Sequence, residues 1–297
     1  MTSWPWMKGV TTAVADPVPV SDGRPSIKDL ITEHRERIDQ LKQNLVNDAP
    51  EFDESKHDDL WLLRFILSHK KKIPAATKAA KYTLKFRKEH KLDDVDLRFH
   101  PPGPTAQCDG LLRYAEYTDK EDTFQWTLPD DSKGPVTFIR YAGLDQHQLV
   151  KHVAEEDWLA SFLYCSEWSH QWADRTSRVT GRLTKNVRLV DLNGMKVLDF
   201  SMTNSKRDGK VMNLMEDCYP QLLQAVYVVN PPIWISTIWD LCRPLMPKRV
   251  VAKFDIIRPA KKDKDRELLL QFIDESNLPT KFGGTYEKWP VDYPLAR

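Results

Sequence analysis

The order of apolar and polar residues divides the chain into a helical first part and a second part in which strands and helices alternate. In the first part, apolar residues recur every three or four positions and predict helices that begin at Ser26, Asp58 and Pro74. Further along, apolar runs of strand length occur at 136–141, 187–191, 225–229 and 250–257. Helical patterns cover 155–173, 211–217, 233–241 and 265–275. We therefore predict the α/β class, with a mixed or parallel β-sheet that follows a helical N-terminal region.

Composition shifts indicate where these regions divide. The segment 101–104 contains three prolines and a glycine, which is typical of a rigid linker. We expect a flexible tail over residues 1–25, a helical region over 26–100 and an α/β domain over 101–290. The tail contains Trp4 and Trp6, whose rings we expect to dock on the protein's own surface or at a membrane interface.

One long window, residues 218–239, contains no charged side chain and is long enough to span a bilayer. Pro231 and Pro232 interrupt it, so it predicts a buried strand, a turn and a short helix rather than a membrane span. The apolar residues of that helical segment surround it rather than form one stripe: they are Ile233, Trp234, Ile235, Ile238, Trp239 and Leu241. Such a helix must be buried on most sides or must alternate between protein and lipid.

Charge and motif content exclude several classes of function. There are 44 Lys and Arg residues against 43 Asp and Glu residues, whereas a general nucleic-acid binder has a basic excess. The sequence has no nucleophile elbow, P-loop, dinucleotide fingerprint or zinc-protease motif, and its four cysteines form no C-x-x-C pair. We therefore expect no catalytic residues, no metal and no cofactor. The first 22 residues contain no signal-peptide pattern, which favours a cytoplasmic protein with reduced cysteines.

A series of short motifs runs along the chain. The sequence LLRFIL precedes His-Lys-Lys at 69–71, and the next helical stretch ends in Phe-Arg-Lys at 86–88. A D-x-x-G element follows the strand pattern at 191–194. Then come Tyr-Pro at 219–220, VVNPP at 228–232, Arg-Pro-Leu at 243–245, and LPTKFGG at 278–284. In this order and spacing, over roughly residues 26–285, they resemble the CRAL-TRIO family, and most of all its fungal phosphatidylinositol/phosphatidylcholine transfer proteins.

This resemblance implies a fold and a mechanism. Members of the family hold one lipid-like molecule in an apolar pocket floored by a β-sheet, under a helical gate that opens at a membrane. Here the segment 233–241 takes the place of the gate. The resemblance implies a non-enzymatic, monomeric carrier that binds a phospholipid, phosphatidylinositol being the first choice, and contacts a membrane surface transiently.

The resemblance also implies positions for the lipid head group. The phosphatidylinositol pattern falls at His69, Lys70, Gln221, Val250 and Lys253. Lys70 and Lys253 are able to donate charge-assisted hydrogen bonds to a phosphate. The other three positions depart from the pattern. His69 replaces an arginine and lacks its fork of donors, Gln221 replaces a glutamate and lacks its charge, and Val250 replaces a threonine.

The phosphatidylcholine pattern also departs, because its serine and threonine fall near Asn186 and Arg188. An arginine on a pocket strand is costly to bury unless it is paired. Arg188 either contacts a phosphate or carboxylate of the ligand or faces outward, and the alternation of a strand puts it on the opposite face from Leu189.

These departures leave two alternatives to a phospholipid carrier. The same fold could carry another hydrophobe: a sterol, tocopherol, retinoid, carotenoid or haem. The chain could instead be a regulatory or scaffold module that senses a lipid without moving it, with the tail as a partner-binding element.

Overall fold

The structure is a computed structural model that describes residues 23–103, 106–118, 124–126, 133–256, 266–267, 269–270, 273–276, 278 and 280–286. Its helices are α1 (Ile27–Glu33), α2 (Arg35–Asp48), α3 (Asp59–Ser68), α4 (Ile73–Glu89), α5 (Asp109–Ala115), α6 (Gln146–His152), α7 (Glu155–Thr180), α8 (Met202–Cys218), α9 (Ile235–Cys242) and α10 (Lys248–Val251). Its strands are β1 (Phe124–Trp126), β2 (Val136–Arg140), β3 (Asn186–Asp191), β4 (Leu223–Val229) and β5 (Phe254–Ile256). Trp4 and Trp6 lie outside the described residues, so the prediction for the tail stays a prediction.

The first four helices form the helical region, and their starts follow from local capping. The Ser26 hydroxyl accepts a hydrogen bond from the Asp29 amide, and the Asp58 carboxylate accepts one from the Trp61 amide. One helix was expected from Ser26 onward, but His34 has φ −112° and ψ 15° and divides it into α1 and α2. The helices share a core of aliphatic and aromatic side chains that includes Ile38, Leu41, Leu45, Leu62, Leu63, Phe65 and Ile66.

The five strands lie in the order in which they occur in the chain. β1 pairs with β2 in the antiparallel direction, and β2, β3, β4 and β5 are parallel to one another. Helices α7 and α8 run between the parallel strands, as parallel connections require. The α/β prediction is confirmed. The strand expected at 250–257 is wrong at its start, because Val250 belongs to the short helix α10 and β5 begins only at Phe254.

The two faces of the sheet pack against different parts of the chain. Val187 and Leu189 of β3 point to the back face, which packs against Leu269, Ile273 and Leu278 near the C-terminal end. Residues 266–267 and 269–270 are helical, and the rest of the helix predicted over 265–275 is described only in part. Side chains alternate between the two faces along each strand, and those on the front face are Ile139, Val190, Val226, Val228, Phe254 and Ile256.

A network of buried charges joins the helical region to the α/β domain. Arg87 of α4 donates two hydrogen bonds to the carboxylate of Glu167 on α7, at 3.0 and 3.1 Å. The Tyr219 hydroxyl and the Gln171 amide also donate to Glu167, at 2.8 and 2.9 Å. Burial works to raise the pKa of Glu167, but the charge of Arg87 outweighs it and the pKa is lowered. We call these residues, with Asp93, the charge network.

Candidate functional site

A cavity of about 220 Å³ lies on the front face of the sheet. Its floor consists of the front-facing side chains of β2 to β5. One wall is α8, which contributes Met212 and Met215, and Phe162 of α7 and Tyr114 of α5 extend the lining. The lining is mostly apolar, and it is suited to an acyl chain or another hydrophobe.

Helix α9 covers this cavity with one face. Trp234, just before the helix, and Ile235, Ile238 and Trp239 line the cavity, and the Trp239 ring lies 4.9 Å from that of Phe254 on the floor. Ile233 precedes the helix and is fully exposed, and Leu241 is 52% exposed. The expectation of a helix apolar on all sides is therefore corrected: α9 has an apolar inner face and a mixed outer face, with Leu241 exposed on the helix and Ile233 exposed just before it.

The cover rests on few contacts with the rest of the protein. No residue of α9 is fully buried. The Cys242 thiol donates to the Ser205 hydroxyl of α8 at 3.6 Å. The turn after α9 lies so close to α8 that a Cβ atom on Gly209 would be 2.5 Å from the Leu245 carbonyl oxygen. Glycine at this position is required by the close approach of the two backbones.

Most of the predicted head-group residues lie together at the edge of the sheet where the parallel strands begin. We call this group the polar edge, defined by Ser68, His69, Lys70, Glu216, Gln221, Arg249 and Lys253. The Gln221 amide donates to the Ser68 hydroxyl at 3.0 Å, and Arg249 donates to the Ser68 carbonyl oxygen at 3.3 Å. Lys253 lies 3.4 Å from Glu216. The end of α3 thus meets the segments that precede β4 and β5.

The head-group candidates of the polar edge and the neighbouring Val250 differ in their surroundings. Lys70 is exposed, with φ 52°, and the His69 ring nitrogen Nδ1 lies 2.8 Å from the Phe65 carbonyl oxygen. Val250 is buried on α10 and lines the cavity. Burial lowers the pKa of Lys253, although Glu216 opposes this effect.

Arg188 faces into the cavity, on the same face of β3 as Val190. Of the two orientations left open by the sequence, the structure has the inward one. Burial lowers the pKa of Arg188, since the charged guanidinium loses its hydration. Across the cavity, Asp208 accepts hydrogen bonds from Trp158 at 3.1 Å and Asn204 at 3.0 Å, and its burial raises its pKa to about 7.

Sequence reasoning missed several residues around the site. Arg249 and Glu216 belong to the polar edge, but neither stands out in the sequence from other charged helical residues. Val197 and Leu198 form an exposed apolar pair, 50% and 84% exposed, in the connection from β3 to α8. Met195 and Phe200 on either side of the pair line the cavity beside Trp234. The pair therefore lies near the cover, and an apolar dipeptide inside a connection was its only sequence signal.

Two further properties concern the described residues alone. None of their helices combines the length and the apolar character that crossing a membrane requires. Within the same part of the chain, no three His, Cys, Asp or Glu side chains are placed to hold a metal ion.

Comparison with known proteins agrees with this architecture. The family model described as CRAL/TRIO domain matches residues 120–284. Over 253 residues the chain is 25% identical to the SEC14 cytosolic factor of Candida glabrata, covering 84% of this chain and 77% of the relative. Over 234 residues it is 23% identical to Patellin-6 of Arabidopsis thaliana, covering 76% of this chain and 51% of that protein.

A solved structure supports the fold. The structure titled "Crystal structure of Sfh5" superposes with a TM-score of 0.55 at 16% identity, covering 92% of this chain and 96% of the other. The resemblance seen in the motifs is confirmed, because the family model covers more than half of the chain. The chain belongs to the CRAL/TRIO domain family, whose members bind lipid ligands.

Proposed function

We propose that this chain is a non-enzymatic carrier that binds one phospholipid, phosphatidylinositol being the first choice, and exchanges it at membranes by movement of α9. The observation that supports this proposal most is the cavity itself. An apolar space on the sheet is covered by a short amphipathic helix with no fully buried residue. A cover of this kind can move without unfolding the sheet beneath it.

The energetics of opening are favourable only at an apolar surface. Moving α9 away exposes Trp234, Ile235, Ile238 and Trp239, and burial of each such side chain contributes about 2–3 kcal/mol. A bilayer recovers much of that free energy, and tryptophan is favoured at its interface. The exposed side chains of Ile233, Leu241 and Leu198 provide the first contact with the bilayer.

The polar edge is the proposed site for the head group. Lys70 and Lys253 supply positive charge for a phosphate, and Gln221 offers an amide to an inositol hydroxyl. Arg249 adds a second cation next to Lys253. In this proposal the protein is a monomer that contacts membranes transiently. Its place is the cytoplasm, which agrees with the word cytosolic in the name of the SEC14 relative.

Transfer of labelled phosphatidylinositol between two vesicle populations tests the proposal. We expect the protein to accelerate transfer and to retain one lipid per chain in native mass spectrometry. If the protein transfers no phospholipid and no lipid is extracted from it, the proposal is wrong.

The gate is tested separately with Trp234→Asp combined with Trp239→Asp, which we expect to abolish vesicle association while the far-ultraviolet circular dichroism is unchanged. A matched control is Val46→Asp with Tyr82→Asp, two exposed residues of the helical region. Vesicle binding that survives the tryptophan changes, or that is lost equally in the control, would count against α9 as the gate.

A second cargo class is favoured by the departures at His69, Gln221 and Val250, which reduce the fit to phosphatidylinositol. In that case the same cavity carries a sterol, tocopherol, retinoid, carotenoid or haem. A visible absorption band in the purified protein would favour a carotenoid or haem. The sensing role is tested by deletion of residues 1–22: transfer that is unaffected favours a carrier, and loss of a partner interaction alone favours a sensor.

A further inference from the structure

The cavity is not uniformly apolar, because one part of its lining contains polar atoms without partners. Arg188 Nε, the Ser166 hydroxyl and the Asn186 carbonyl oxygen Oδ1 are all buried with no hydrogen-bond partner in the described part of the chain. All three residues line the same cavity. Buried polar groups are normally paired, so three unpaired ones around a single space indicate a missing partner.

No carboxylate in the described part of the chain pairs directly with Arg188, although the charges of Asp208 and Glu216 act on it from a distance. Glu216, which lines the cavity and belongs to the polar edge, is already engaged by Lys253 at 3.4 Å and by Arg249 at 3.6 Å. Asp208 faces Arg188 but accepts its own hydrogen bonds, from Trp158 and Asn204. Among the residues that the structure describes, no ion pair or hydrogen bond to Arg188 is formed.

A guanidinium in a mostly apolar cavity is unfavourable unless an anion is brought to it. Its planar fork fits a carboxylate or a phosphate, with two parallel N–H···O bonds. A quaternary ammonium group would be repelled by the same charge, and it offers no acceptor for the Arg188 donors. Phosphatidylcholine carries this ammonium group next to its phosphate, so the guanidinium favours lipids whose only charge is negative.

We propose that Arg188 binds an anionic group of the ligand inside the cavity, a carboxylate or a phosphate, and excludes ligands that carry a quaternary ammonium group there. Ser166 and Asn186 complete this site with a hydroxyl and an amide oxygen for the ligand's remaining polar atoms. The inference rests on the proposed function, since it assumes that an amphiphile occupies this cavity. It goes further by naming the chemical class of the group that is held there.

The test is a loading competition with the full chain. The protein is incubated with vesicles that contain phosphatidylcholine, phosphatidylinositol and oleic acid in equal amounts, then re-isolated, and its bound lipids are quantified by mass spectrometry. We expect at least tenfold enrichment of an anionic lipid over phosphatidylcholine. Enrichment of oleate identifies a carboxylate as the group at Arg188. Enrichment of phosphatidylinositol identifies a phosphate there only if Arg188→Met abolishes it, because Lys70 and Lys253 of the polar edge also favour this lipid.

Substitutions of Arg188 test whether this side chain causes the preference for anionic lipids. Arg188→Met should bring the ratio of anionic lipid to phosphatidylcholine close to one, and Arg188→Lys should keep part of it because the charge remains without the fork. Lys210→Met removes an exposed charge from α8, outside the cavity lining, and should leave the ratio unchanged. If Arg188→Met does not fold, Arg188→Gln replaces it and is expected to lose the preference equally.

Two outcomes would overturn the inference, and they can be told apart. If the wild type takes phosphatidylcholine as readily as the anionic lipids, or if Arg188→Met keeps the wild-type ratio, the role of Arg188 is wrong while the carrier function stands. If the wild type takes none of the three lipids, the proposed function fails as well.

Discussion

Arg87 and Arg188 have opposite surroundings. Arg87, in the charge network, donates two hydrogen bonds to Glu167 and a third to Asp93 at 2.6 Å. Arg188, in the cavity, has a buried Nε without a partner. Burial works to lower both pKa values, but the charge of Glu167 outweighs it and raises the pKa of Arg87, whereas the pKa of Arg188 stays lowered.

The carboxylates of Glu167 and Asp208 differ in the same way, because Glu167 pairs with Arg87 whereas Asp208 accepts hydrogen bonds from uncharged groups. Arg87 holds the pKa of Glu167 below its usual value despite burial, whereas burial raises the pKa of Asp208 to about 7. Arg87, which joins the helical region to the α/β domain, has its partners within the chain. Arg188 lacks such partners in the cavity, and in our proposal the ligand supplies them. The contrast predicts opposite effects of similar substitutions in the two places.

The largest effect is expected from Glu167→Gln, which keeps the shape of the side chain but leaves Arg87 without its main counterion. Breaking a buried pair in this way costs about 3–5 kcal/mol. Urea denaturation should show this loss in the free energy of unfolding. A loss below about 1 kcal/mol would mean that the charge network does not hold the helical region in place.

The second effect is a pH dependence that comes from Asp208. Because its folded pKa of about 7 lies above the unfolded value, the folded state retains a proton that the unfolded state has lost. Stability contributed by this group is therefore present below about pH 4 and decreases as pH rises toward 7, by at most about 1.4 kcal/mol per pH unit. Asp208→Asn should remove this slope in unfolding measurements between pH 4 and 8. An identical slope in wild type and variant would show that Asp208 is ionised in the fold.

The cover of the cavity gives the third prediction. Gly209→Ala places a methyl group against the Leu245 carbonyl oxygen and should displace the turn after α9, at a cost of about 1–3 kcal/mol. Bound lipid should be released faster in a vesicle assay. Gly103→Ala is the matched control, since a Cβ atom there meets nothing within 4 Å. Equal release rates in the two variants would contradict the contact between α8 and the cover.

The smallest effect is expected from Arg188→Met without ligand. Removing a buried charge that has no partner should leave the free energy of unfolding unchanged or raise it by about 1 kcal/mol, in contrast to Glu167→Gln. Thermal and urea unfolding of the delipidated protein measure this. Destabilisation by several kcal/mol would place Arg188 with the charge network rather than with a ligand site.

The periodicity of apolar residues was sufficient to predict the helices and strands whose patterns are strong and uninterrupted. Helices α3, α4 and α9 and strands β2, β3 and β4 lie where apolar spacing put them, within a few residues. The break at His34 was not predictable, because the apolar spacing continues through it. Helix α5 has seven residues and contains Gly110, so its local signal is weak.

The residues of the site were harder to predict from the sequence than the helices and strands. Strand alternation put Arg188 and Leu189 on opposite faces, but only the packing of the C-terminal segment on Leu189 decides which face holds the cavity. Glu216 and Arg249 join the polar edge through contacts between residues more than 30 positions apart, which no local pattern encodes. Val197 and Leu198 are visible as apolar residues, but their exposure beside the cover depends on the fold.

Native mass spectrometry of the protein as purified from cells tests the central claim most directly, because it identifies the molecule in the cavity without choosing a probe. We expect one anionic lipid per wild-type chain. In Arg188→Met we expect phosphatidylcholine or an empty cavity in its place. A wild-type protein that carries phosphatidylcholine, or a variant that carries the same anionic lipid at the same occupancy, would contradict the account.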